Sequence, residues 1–237
     1  MGGHSRENHT PSLLYLTNRF ERASCGETFT HNIAPILSTS KRSPHARAVN
    51  ANTRLRVDFT AHQRTVHLDQ GQLYIEVAAD KERPLFVQAG EANVRVVGTG
   101  FDVRRSQQQL VVSVAHGQVA FDPDPKAQAT LLGAQQRATY NYAKGTLQQQ
   151  TLNASEVADW RSGHLSFRNR ELASLIDELS LYRPGASFQV DNAVAQLKVS
   201  GNLDVNDPDA LLNALPALLP VKTVALADGK VRIEARK

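Results

Sequence analysis

Residues 92–105, ANVRVVGTGFDVRR, contain two strand-like stretches and a break between them. Val94 and Val96 flank Arg95, and Phe101 and Val103 flank Asp102. That period of two places the apolar residues on one face of an extended chain. Gly98-Thr99-Gly100 interrupts it. Glycine inside a strand pattern marks a bulge, a bend or a close backbone approach. The stretch therefore predicts β structure with a built-in corner.

The same alternation runs outward in both directions. In TRLRVDFT (53–60), Leu55, Val57 and Phe59 oppose Arg54, Arg56 and Asp58. GQLYIEVAAD places Leu73, Ile75 and Val77 on one face. LFVQA, QLVVSVA, GQVAFD, ATLLGAQQRATYNY and GTLQQQTL follow at short intervals. Short strands separated by turn residues predict an all-β sandwich, barrel or solenoid. VHLDQGQLYIEV (66–77) and VSVAHGQVAFDP (112–123) resemble one another, each reading as strand, Gly-Gln turn and strand. Two such copies favour a stacked, solenoid-like arrangement.

After Leu152 the period changes. ASEVADW suggests a short helical turn anchored by Trp160. In NRELASLIDELSLYRPG, Leu172, Leu175, Ile176 and Leu179 recur at helical spacing. Asn169 is the expected cap and Pro184-Gly185 the expected stop. ASFQVDN and QLKVSGNLDV read as strands. NDPDALLNAL reads as a second helix, with Asp207 as cap and Pro208 in its first turn. VKTVALADGKVRIEA reads as a hairpin turning at Asp228-Gly229. The expected architecture is mainly β plus α+β. An irregular leader spans 1–48, an all-β solenoid- or sandwich-like domain spans 49–152 and a linker spans 153–162. A small β-α-β/β-α-β module occupies 163–237.

Composition narrows the function. The chain of 237 residues carries a formal charge of +4. Residues 1–48 supply +3 of it, so residues 49–237 hold 21 basic against 20 acidic side chains. A nucleic-acid surface needs a basic patch on the folded part, and this balance argues against one. The single cysteine, Cys25, forms neither an internal disulfide nor a thiolate metal site. No apolar run is long enough to span a membrane, and no signal-peptide pattern opens the chain. His62, His67, His116 and His164 are scattered without catalytic or metal-ligating spacing. Turnover of an external substrate, a metal and a cofactor are all unexpected.

Several blocks together resemble the FecR family, regulators of iron-uptake sigma factors in Gram-negative bacteria. They are Gly71 to Val77, Arg83-Pro84-Leu85-Phe86-Val87, and Gly98-Thr99 followed by Phe101-x-Val103. VSVAHGQVAF, LLGAQQ and the stretch from Trp160 to Tyr182 match the next blocks. VSGNLDVNDPDALLNAL and LPV resemble the second half of the short N-terminal module of secretins and TonB-dependent transporters. The resemblance covers about residues 49–237. It implies the periplasmic part of an inner-membrane-anchored regulator of an ECF-type sigma factor. The signal is expected from an outer-membrane TonB-dependent siderophore or haem transporter, by protein contact. The sigma factor is expected to meet only a cytoplasmic segment, which is not matched here. Residues 1–48 do not match the family, and a shifted frame or foreign leader is the expected reason.

Two sets of residues are candidates for function. Leu197, Val199, Leu203 and Val205, or Leu172, Leu175 and Leu179, are candidates for the transporter contact, the alternative being that they form the module's core. The resemblance also makes Gly98-Thr99 a candidate bond for single-turnover self-cleavage. There the Thr99 hydroxyl attacks the Gly98 carbonyl, Gly100 relaxes the backbone and His116 is a candidate base. The alternative is a β-bulge with Thr99 bonding locally. A structural docking module of the envelope and a carbohydrate-binding domain using Tyr74, Tyr140 and Tyr142 are competing functional readings.

Overall fold

The computed structural model describes residues 27–31, 36–37, 46–126, 128–183, 185–226 and 230–236, with side chains from Ala48 onward. Its first half is one large curled sheet of 13 strands. The hinge of that sheet is the long strand β5 (Arg64–Glu76). The N-terminal part of β5 pairs antiparallel with β4 (Thr53–Phe59) and parallel with β6 (Leu85–Ala89). Its C-terminal part pairs with β3 (Ala46–Val49) and β8 (Gly100–Arg105). The first wing continues from β6 through β7 (Ala92–Val96) and β10 (Val119–Asp122) to β11 (Thr130–Leu132). The second continues from β8 through β9 (Gln109–His116) and β12 (Gln136–Asn141) to β13 (Thr146–Thr151).

The wings close on each other because alternation gives each an apolar face. Val57, Leu68, Val87, Val94, Phe121 and Leu132 from one wing join Leu73, Phe101, Val103, Val112 and Val114 from the other in one core. The mainly β expectation holds, in the form of a curled sheet. The two Gly-Gln stretches are alike for a reason different from the expected turn. β5 passes from one wing to the other at Gly71 without breaking, and β9 passes to β10 at Gly117. Gly71 has φ +94°, and a Cβ there would sit 2.3 Å from Thr53 Oγ1, so only glycine lets β5 continue.

Residues 27–31 form β1 (Glu27–His31), which pairs with β4, and β2 (Ile36–Leu37) pairs with β3. These strands differ from the irregular leader expected for residues 1–48. Backbone pairing to the exposed edges of β4 and β3 supplies an order that a weak sequence period does not announce.

The C-terminal part begins with short 3₁₀ turns at Ala154–Glu156 and Asp159–Ser162. Along residues 164–235 the order is strand, helix, strand, strand, helix, strand, strand. β14 (His164–Glu171) pairs antiparallel with β16 (Lys198–Asp204). β15 (Ser187–Val190) pairs parallel with β18 (Lys230–Ala235), which pairs antiparallel with β17 (Val221–Ala225). Helix α1 (Leu172–Leu179) and helix α2 (Pro208–Leu218) complete it. The Asp207 side chain caps α2 by accepting from the Ala210 N–H. Asn169 caps nothing: it lies in a bulge of β14 with φ +50°, and α1 starts after Glu171. Pro184 and the Asp228-Gly229 turn lie outside the described residues.

Candidate functional site

Gly98 and Thr99 lie where the chain crosses from β7 in one wing to β8 in the other. They meet the second crossing, from β9 to β10, side by side. The Thr99 side chain is buried, and its hydroxyl donates to the Gln118 carbonyl at 2.8 Å. The Val77 N–H donates to the Thr99 carbonyl at 2.9 Å and the Asp80 N–H to the Val97 carbonyl at 3.1 Å. The corner is therefore held on both flanks.

Space at this corner is limited to what glycine leaves. A Cβ at Gly98 would lie 2.8 Å from the Ala79 Cβ and 2.9 Å from its Cα. One at Gly117, where φ is +81°, would lie 2.7 Å from the Gly98 carbonyl oxygen and 3.0 Å from Thr99 Oγ1. At Gly100 it would strike His116 and the Tyr74 hydroxyl. Gly100 is needed for close packing rather than for backbone relaxation, since its φ is not in the left-handed region. A register shift between Gly100 and Phe101 against His116 and Val114 makes a bulge beside the corner. Thr99 itself bonds across to Gln118 rather than locally.

A line of contacts leads from this corner to the C-terminal part. His116 Nε2 pairs with Glu76 Oε1. The Tyr74 hydroxyl donates to Glu76 Oε2 at 3.0 Å. The Arg161 guanidinium lies over the Tyr74 ring, 4.1 Å from its centroid. Ala48 and Tyr74 pack into the second core with Trp160, Leu165 and Leu172.

Beside that line runs a buried polar seam. Gln72 Nε2 donates to Asp102 Oδ1 at 2.7 Å, and Trp160 Nε1 donates to Asp102 Oδ2 at 2.8 Å. Asn50 donates to Gln72 Oε1 and to the Tyr182 hydroxyl. Arg104 Nη1 donates to Asp177 Oδ2 at 2.9 Å, with Gln109 on the same oxygen. Arg170 pairs with Glu178. Burial pushes the Asp102 carboxyl up to about 6, against the two N–H donors that favour its charge. Burial also opposes charge on Glu178, but Arg170, Arg104 and Arg137 outweigh it and hold Glu178 below the usual range.

The candidate contact residues are placed elsewhere than a docking surface. Leu172, Leu175, Leu179, Val199, Leu203 and Val205 are all at most 5% exposed, and Leu197 packs partly buried against the same cluster. A part this small needs those side chains for its own core. Sequence reasoning missed Glu76, Asp102, Arg104 and Arg161, and it singled out Tyr74 only as an aromatic for carbohydrate, whereas Tyr74 is buried. No local signal marks Asp102 and Arg104: alternating with Phe101 and Val103 they read as a solvent face, yet β8 is buried on both faces. Among the described residues, no group of His, Cys, Asp and Glu could hold a metal ion. Nor is any helix among them long and apolar enough to cross a membrane.

A curled sheet with glycine corners, carrying a small α+β part on one wing, defines the class of the protein. Residues 47–120 match the family model described as "FecR protein". Two solved structures share the fold, each of a "putative anti-sigma factor" from Parabacteroides distasonis ATCC 8503. One has a TM-score of 0.74 at 23% identity and covers 89% of this chain and 100% of its own. The other has a TM-score of 0.73 at 22% identity and covers 90% and 100%. No curated protein matches the chain.

Proposed function

We propose that this chain is the periplasmic, signal-receiving part of a FecR-like regulator of an iron-uptake, ECF-type sigma factor. In this reading residues 49–152 are the FecR-type domain. Residues 163–237 are a module like the short N-terminal domain of secretins and TonB-dependent transporters, and it receives an outer-membrane siderophore or haem transporter by protein contact. The observation that carries the reading is the line from Arg161 through Tyr74 and the Glu76–His116 pair to the Gly98–Thr99 corner. Contact on the module thereby has a physical route to the one corner that the resemblance singles out.

The event at that corner is a single-turnover break. The Thr99 hydroxyl, oriented by the Gln118 carbonyl, attacks the Gly98 carbonyl carbon. An ester forms, the Gly98–Thr99 C–N bond breaks, and the hydroxyl proton passes to the departing Thr99 nitrogen. Water then hydrolyses the ester to leave a Gly98 carboxylate.

Leu218 on α2 and Leu131 on β11 are large exposed apolar side chains, one on each part of the molecule. They separate the two possible contact faces. With the periplasmic signalling domain of the transporter immobilised, Leu218→Glu is expected to weaken capture of the chain at least tenfold, and Leu131→Glu to leave it unchanged. The opposite pattern would move the contact to the sheet and sink the assignment to the module.

A further inference from the structure

A second feature adjoins the polar seam, on the outward face of β9, β12 and β13. There β14 forms a wall over that face and encloses a groove of about 420 Å³. Its floor is made of amides and hydroxyls such as Thr139, Gln148 and Gln150, with Arg137 at its base. Five basic side chains line it, Arg137, Lys144, Arg168, Arg170 and Lys198, against Glu156 and Glu171. Arg170 is paired with Glu178 and Lys198 with Glu171, so the charge offered to an incoming chain comes chiefly from Lys144 and Arg168 at the exposed rim and Arg137 at the base. Residues 49–237 as a whole carry 21 basic and 20 acidic side chains. Outside the groove the balance is therefore negative, and the positive charge of this stretch is concentrated here.

The groove runs along an open strand edge. Among the described residues β13 is the last strand of its wing. The Tyr142 N–H donates to the Gln108 carbonyl, toward β9, and the Leu152 N–H to the Gln135 carbonyl, toward β12. With the β12–β13 register, in which Thr139 faces Gln148, alternation points the backbone groups of Leu147, Gln149 and Thr151 away from β12. Natural edges are shielded by charge, proline or brevity. The six residues TLQQQT carry neither charge nor proline, and five of them are exposed.

We propose that this groove docks an extended acidic segment of a partner protein, which adds to β13 as a further strand. The free edge supplies main-chain hydrogen bonds. The cationic lining selects acidic side chains on the groove face of the incoming strand. A second copy of this chain is disfavoured, because pairing two β13 edges would bring two cationic grooves together. The inference does not depend on the transporter contact proposed above.

The test uses the isotopically labelled chain and two blocked peptides, acetyl-Glu-Thr-Glu-Val-Glu-Thr-amide and its counterpart with lysine in place of glutamate. The acidic peptide is expected to shift the β13 and β14 amide resonances, and the lysine peptide to leave them unmoved. Lys144 and Arg168 are exposed, so Lys144→Glu with Arg168→Glu changes the charge without touching a core, and is expected to weaken acidic-peptide binding at least tenfold. Gln149→Pro removes an outward N–H and is expected to weaken it as well. Absence of binding, equal binding of both peptides, shifts confined elsewhere, or unchanged binding in the double variant would overturn the proposal. So would β13 shifts that appear on raising protein concentration alone, which would assign the edge to a second copy.

Discussion

The core between the two wings and the seam beneath the C-terminal part are about equally dry, yet they are built from opposite materials. The first is Val, Leu, Ile, Phe and Ala packed face to face. The second buries four charged side chains, Asp102, Arg104, Asp177 and Glu178. Apolar burial is non-directional and tolerates rearrangement. A buried ion pair tolerates one geometry and penalises any other. The sheet is therefore expected to hold itself together, and the seam to fix how the C-terminal part sits on it.

The sharpest way to break that contrast is to unpair the seam. Arg104→Met keeps most of the volume but leaves Asp177 and Glu178 without their shared cation. An uncompensated buried charge costs about 3–5 kcal/mol, which urea denaturation reads directly. Arg104→Met combined with Asp177→Leu removes both charges and is expected to recover much of the loss. If the single and double variants are equally destabilised, the seam is ordinary packing and the contrast fails.

A second test uses pH. The Asp102 carboxyl titrates at about 6 in the folded chain, because burial disfavours its charge. Its ordinary value is about 3.9. The folded state therefore binds this proton more tightly than the unfolded state, and stability from this group rises as pH falls through 6 and is lost as pH rises. Between pH 7 and pH 5 the gain is about 1.4 kcal/mol for one group. Asp102→Asn is expected to remove that gain from the wild-type curve, while the contribution of Asp159, also pushed up to about 6 by burial, remains. Parallel curves for the two proteins would show that Asp102 does not titrate in this range.

These two regions also differ in how far the sequence reveals them. The apolar face of β8 is legible from Phe101 and Val103, because a period of two has one physical cause. The opposite face is not, because Asp102 and Arg104 look like residues facing water. They are buried by Trp160 and α1, which lie about 60 to 75 positions further on. Local pattern records only what a strand does to its own side chains. The same limit explains the contact residues of α1 and β16: their helical and strand periods are plain, but a period does not say whether an apolar face meets a partner or its own core. The glycine corner was legible at Gly98 and Gly100, whereas its neighbour Gly117 enters only through the tertiary pairing of two crossings.

The smallest expected effect falls on that corner. Thr99→Val preserves shape and removes the hydroxyl that donates to the Gln118 carbonyl. Losing one buried hydrogen bond costs about 1 kcal/mol, so the melting curve should move little. Intact-mass measurement asks the second question of the same variant. If the Thr99 hydroxyl attacks the Gly98 carbonyl, wild-type protein yields a fragment beginning at Thr99, and Thr99→Val yields only the full-length chain. Thr99→Ser, which keeps the nucleophile, should still be cut. A single uncut species for all three proteins would leave Thr99 as a strut between two crossings, and the route from Arg161 would end at a corner that carries load but no chemistry.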